Sequence, residues 1–102
     1  MEEMPIVCTP EEIPVDRRAE HGKRLAEVVM AKALEMQASS TGFEMRYAPS
    51  EWIELAKWID LERLCCPFAA FELRVDRAGI TLRLSGPEGT GDYLMSLVSS
   101  AR

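Results

Sequence analysis

Two runs of strict alternation, separated by a short turn, constrain this chain more than any other feature. Phe71, Leu73 and Val75 alternate with Glu72, Arg74 and Asp76, and Ile80, Leu82 and Leu84 alternate with Thr81, Arg83 and Ser85. Successive side chains of a strand point to opposite faces, so each run has one apolar and one polar side. Arg77-Ala78-Gly79 between them suits a hairpin turn. Phe43, Met45 and Tyr47 alternate with Glu44 and Arg46 in the same way and read as a further strand. A sheet with one apolar face needs a covering layer, and the rest of the chain supplies helices for it.

The first helix is predicted from about Val15 to Ala38, with His21, Leu25, Val28, Val29, Ala33 and Met36 on one face. Thr9-Pro10-Glu11-Glu12 resembles a helix start, with Thr9 as cap. Pro14 breaks it, and Asp16 is a second candidate cap. Ser39-Ser40-Thr41-Gly42 reads as the stop. Ala48-Pro49-Ser50 interrupts the chain after Tyr47, and Ser50 is placed to cap a second helix that runs to Cys65. Pro67 ends that helix, because a residue before proline is pushed out of the α region. After a loop from Gly86 to Gly91, a third helix covers Asp92 to Ser100 and buries Leu94, Leu97 and Val98. The expected fold is α+β: a small antiparallel sheet of three strands with three helices packed on one face. Met4 to Cys8 could add a fourth, edge strand. A length of 102 residues suits one domain spanning 1–102. An open edge or apolar face on so small a sheet could support a homodimer.

A net charge of −5 argues against nucleic acid as a partner. The basic pairs Arg17-Arg18 and Lys23-Arg24 stand among Asp16, Glu20 and Glu27, as on a solvated helix surface. Met1-Glu2-Glu3-Met4-Pro5 lacks the features of a signal peptide, and no apolar run approaches a membrane span, so no membrane partner is expected. Three cysteines, two of them adjacent, do not form a secreted disulfide framework and fit reduced thiols in a cytoplasm.

The chemistry concentrates in Glu62-Arg63-Leu64-Cys65-Cys66-Pro67-Phe68. On the second helix Leu55, Trp58, Ile59 and Cys66 share an apolar side, with Cys65 at its border and Glu62 inside it. A carboxylate there requires a partner, and Cys65 and Cys66 stand three and four residues on; Arg46 or Arg74 would also serve. A catalytic thiolate is disfavoured by the partial negative charge of a helix C-terminus and by Glu62 itself. The same features attract a cation, and adjacent thiolates suit soft, low-coordination ions such as Hg, Cu or As, or share in binding Zn. Cys8 precedes a predicted helix N-terminus and is expected to ionise most readily of the three. If it folds over the pair, Cys8, Cys65 and Cys66 make a three-sulfur metal site with Glu62 as ligand or supporting group. The alternative is that the cysteines are structural core residues of a non-enzymatic interaction or dimerisation module.

The string Glu62-x-x-Cys65-Cys66-Pro67-Phe68-x-x-Phe71, followed by a hairpin and Gly86-Pro87-Glu88-Gly89, resembles a group of small, mostly uncharacterised bacterial proteins. Similar segments occur appended to or encoded beside heavy-metal-responsive regulators of the MerR type. By association, the resemblance implies heavy-metal handling.

The remaining features read as structure. The Gly86 to Gly91 loop lacks the Lys-Ser/Thr of a phosphate-binding loop. His21 reads as a core or rim histidine with no indication of closeness to the cysteines, and Trp52 and Trp58 as core or dimer-seam residues. Met30, Met36 and Met45 read as core filler. No Ser-His-Asp set or catalytic carboxylate pair can be assembled, so a soft-metal binder is expected rather than an enzyme.

Overall fold

The computed structural model describes residues 5–100. Its sheet has four antiparallel strands in the order β1-β2-β4-β3: β1 Glu35–Ser39, β2 Gly42–Tyr47, β3 Ala70–Asp76 and β4 Gly79–Ser85. The helices are α1 Arg18–Arg24, which continues as a wider π-helical stretch Leu25–Met30, then α2 Trp52–Cys65 and α3 Thr90–Ser100.

Alternation sets the register. Phe43 and Phe71 flank Leu84, Met45 and Leu73 flank Leu82, and Tyr47 and Val75 flank Ile80. The apolar side of the two central strands is buried, with Leu82 at 0% and Ile80 at 1% exposure. Leu55, Trp58 and Leu61 of α2, Val29, and Leu94 of α3 complete the core on that side. The opposite face carries Glu44, Arg83 and Glu72 in one cross-strand row and Arg46, Thr81 and Arg74 in the next. Arg83 donates to Glu44 across 3.1 Å there.

The first helix is shorter than its periodicity suggests, and the strand count is higher. The helical stretch ends at Met30 instead of reaching Ala38, and Glu35–Ser39 forms edge strand β1, with Met36 opposite Met45 and Ala38 opposite Phe43. Ser39-Ser40-Thr41-Gly42 is therefore the bend of a hairpin. Gly42 is required at its end: a Cβ there would stand 1.8 Å from the Leu84 carbonyl oxygen. The fourth strand is thus β1 and not Met4 to Cys8. Met4 lies outside the described residues, and Pro5 to Cys8 is not a strand.

The π-helical stretch has a visible partner. Ala31 N–H bonds back five residues to Ala26, and the Val29 carbonyl accepts the Tyr47 hydroxyl at 2.6 Å. Arg24 donates to Glu54 of α2 at 3.0 Å and to Glu20 at 3.1 Å, so it ties α1 to α2 and is not part of a free basic surface.

None of the predicted caps bonds its helix. Pro10–Glu12 is one 3-10 turn, Val15–Arg17 is another, and neither Asp16 nor Ser50 makes a side-chain cap. Trp58 is buried in the core as expected, while Trp52 is half exposed and is not a core residue. Leu94 is buried as predicted, while Leu97 and Val98 lie outside the residues whose side chains are described. Among the described residues, no helix is long and apolar enough to cross a membrane.

Candidate metal centre

The centre forms where α2 ends. Cys66 N–H makes the final helical bond, 2.8 Å to the Glu62 carbonyl, and Cys66 itself has left the α region at φ −117°, ψ 73°. Pro67 explains that departure. The change of backbone direction lets two adjacent cysteines converge on one point, which a continuous helix would not allow.

The third sulfur arrives on the N-terminal segment. Thr9 N–H donates to the Cys65 carbonyl at 2.6 Å, and the Thr9 hydroxyl reaches the carbonyls of Leu64 and Cys65 at 3.3 and 3.2 Å. Thr9, predicted to cap the start of its own helix, instead closes the end of α2. Cys8 N–H donates to the Tyr93 hydroxyl of α3 at 2.9 Å. Cys8 is thereby held between the ends of two helices that are far apart in sequence.

The Sγ atoms of Cys8, Cys65 and Cys66 all lie within 4.8 Å of one another, and those of Cys8 and Cys66 are 2.8 Å apart. All three are free cysteines; Cys65 and Cys66 are buried and Cys8 is half buried. An ion bonded to each sulfur at about 2.3 Å needs sulfurs about 4 Å apart, and the cluster spans no more than 4.8 Å. The three cysteines could therefore hold a metal.

Glu62 lies beside the sulfurs and is held from both sides. Its Oε1 accepts from Cys66 Sγ at 3.2 Å, and its Oε2 lies 2.6 Å from His21 Nε2. The expected partners Arg46 and Arg74 stand on the opposite face of the sheet. His21 is buried, as a core histidine should be, and it also reaches Glu62, which the sequence did not indicate: its ring stacks on Trp58, 6.2 Å between centroids and 8° between planes, and this aims Nε2 at Glu62. Among the described residues, His21 Nδ1 and Trp58 Nε1 are buried without a hydrogen-bond partner. The only sequence signal for the His21–Glu62 pair was that both fall on the apolar faces of their helices.

The thiols differ in acidity. Cys66, whose single thiol proton can turn to Cys65 or to Glu62, lowers the Cys65 thiol to about 7 by hydrogen bonding, against burial and the Glu62 charge, which oppose it. Cys66 is pushed far up, first by that same bond to Cys65 and then by burial, Cys8 and Glu62. Burial raises Cys8 as well. The expectation that Cys8 ionises first thus reverses. The structure after Cys8 is one 3-10 turn and supplies no helix dipole worth the name. At neutral pH the cluster holds one readily formed thiolate at Cys65, with protons on its neighbours that a soft cation would displace.

No protein-family model, no curated protein and no solved structure matches this chain.

Proposed function

We propose that this protein binds a soft metal ion through the thiolates of Cys8, Cys65 and Cys66, with Glu62 as a fourth ligand or as the group that orients Cys66. The observation that carries the reading is the meeting of three sulfurs, drawn from two segments 58 residues apart, beside a carboxylate at a helix C-terminus. A cysteine that served only as core filler would not need Glu62 within hydrogen-bond distance, because even a largely covered carboxylate, 15% exposed here, is costly where apolar packing would do. The donor set selects Hg(II), Cu(I), As(III) or Zn(II) over hard ions such as Mg(II) and Ca(II). His21 fixes the Glu62 carboxylate as an outer partner, the arrangement by which proteins commonly orient metal ligands. The resemblance of the Cys-Cys-Pro-Phe string to segments found beside MerR-type regulators supports heavy-metal handling in a cytoplasm, by accessory binding and not catalysis.

The test is titration of the reduced protein with Hg(II), Cu(I) and Zn(II), followed by thiolate-to-metal absorption and proton release. One ion should bind per chain, and Cys8→Ser, Cys65→Ser and Cys66→Ser should each weaken it at least about tenfold. Binding that survives all three substitutions overturns the reading.

A second reading is favoured by burial. Cys65 is 8% and Cys66 1% exposed, and both belong to the hydrophobic core. On that reading the protein is a non-enzymatic interaction or homodimer-forming module. Folded Cys65→Ala and Cys66→Ala variants would then lose stability, while the parent would bind no soft ion.

A further inference from the structure

The distance of 2.8 Å between Cys8 Sγ and Cys66 Sγ has a consequence apart from metal binding. It is well inside the ordinary contact separation of two sulfurs, and only a short movement separates it from a disulfide bond of about 2.05 Å. The rest of the site suits oxidation of this pair in particular. Cys65 and Cys66 are sequence neighbours whose Cα atoms are about 3.8 Å apart, below the usual range for a bridge. Cys8, in contrast, reaches Cys66 from another segment, and its backbone is held by Tyr93 and, through Thr9, by the end of α2. Cys8 is half buried while Cys66 is 1% exposed. A solution oxidant can therefore meet Cys8 but not Cys66.

We propose that Cys8 and Cys66 are a redox-active pair that low-molecular-weight disulfides, such as glutathione disulfide, convert to an internal Cys8–Cys66 bridge. In the first step Cys8 gives up its proton to solvent and its sulfur attacks one sulfur of the small disulfide, giving a mixed disulfide on Cys8 and releasing one small thiolate, which takes up a proton from solvent. In the second, Cys66 sulfur attacks the Cys8 sulfur and expels the second small thiolate. The Cys66 proton passes along its 3.2 Å hydrogen bond to Glu62 and on to solvent. The two protein thiols are oxidised by two electrons, the small disulfide is reduced to two thiols, and Cys65 stays reduced. The bridge withdraws two of the three sulfurs of the cluster, so the oxidised protein has one thiol where the reduced one has three. The proposal concerns the metal-free protein, so it succeeds or fails independently of the metal reading.

The experiment treats the reduced full-length protein, freed of metal by a chelator, with glutathione disulfide. The reaction is quenched in acid, and remaining thiols are alkylated after denaturation and mapped by mass spectrometry. The expected product has lost two hydrogens, carries one alkyl group on Cys65, and yields a cross-linked peptide joining Cys8 to Cys66. Cys65→Ser should still yield the cross-linked peptide joining Cys8 to Cys66. Cys66→Ser should stop at the mixed disulfide on Cys8, and Cys8→Ser should retain both remaining thiols. Cys8→Ser alters a half-buried position, so it tests the pairing even where a Cys66 substitution unfolds the protein. Three alkylated thiols in the treated parent, or a bridge that ends on Cys65, overturns the proposal.

Discussion

Thr9 closes the helix that carries Cys65: its N–H lies 2.6 Å from the Cys65 carbonyl, and its hydroxyl also reaches that carbonyl at 3.2 Å. One residue therefore satisfies the end of α2 and sets Cys8 beside the vicinal pair. Thr9→Val keeps the shape and the backbone bond but removes the hydroxyl. It should cost about 0.5–1.5 kcal/mol in urea unfolding, the ordinary contribution of one hydrogen bond. Soft-metal affinity should fall with it, because Cys8 is less firmly placed. Unchanged stability and affinity would show that the backbone bond alone positions Cys8.

The acidity of Cys65 provides a pH test. The Cys66 hydrogen bond stabilises the thiolate and brings its midpoint to about 7, below the usual 9.0. Thiolate ultraviolet absorbance should accordingly rise through pH 7 in the folded, metal-free protein. The fold gains from this thiolate above its unfolded value of 9.0, and the gain is lost as pH falls through about 7. Cys66→Ala removes the donor and should move the midpoint upward. A midpoint near 9 in the parent would contradict the assignment.

Much of this arrangement is legible in the chain, and the failures have physical causes. The hairpin from Phe71 to Leu84 is readable because both of its strands alternate without interruption. Strand β1 is not readable, because Glu35, Met36, Gln37 and Ala38 are strong helix formers that continue the pattern of α1. Ser40-Thr41 also lacks the Asn-Gly signature of a tight hairpin. Pairing with β2 overrides that local preference. The vicinal cysteines and Glu62 were visible as a group because they lie within five residues of one helix end. His21 was not, since its approach to Glu62 depends on how α1 crosses α2 and on the stacking of its ring over Trp58. The acidity order is not legible in the sequence, because it follows from contacts among the three sulfurs, which spacing cannot express.

His21→Phe tests that missing element. Phenylalanine preserves a ring over Trp58 but leaves Glu62 Oε2 without its partner at 2.6 Å. The variant should fold and bind a soft ion about tenfold more weakly, the lower end of what loss of an outer partner costs. Glu62→Gln should show a similar loss. Wild-type affinity in both would remove the carboxylate from the site.

Tyr47 ties the π-helical stretch to the sheet, and its behaviour at high pH is fixed in sign. Burial raises its phenol above the usual 10.0, so the folded state holds the neutral form. The stability from this group is fully present below pH 10.0 and is lost as pH rises beyond it. Tyr47→Phe leaves the Val29 carbonyl without its hydroxyl donor and should cost about 1–3 kcal/mol at neutral pH. The variant should also lose stability less steeply than the parent in alkali. An equally steep alkaline loss in both proteins would place the cause elsewhere.

X-ray absorption of the protein loaded with one equivalent of Zn(II) or Hg(II) tests the central claim most directly, because it counts the sulfur atoms around the ion. A first shell of three sulfurs is expected, falling to two in Cys8→Ser and in Cys66→Ser. A shell without sulfur, or a sulfur count that Cys8→Ser leaves unchanged, would contradict it.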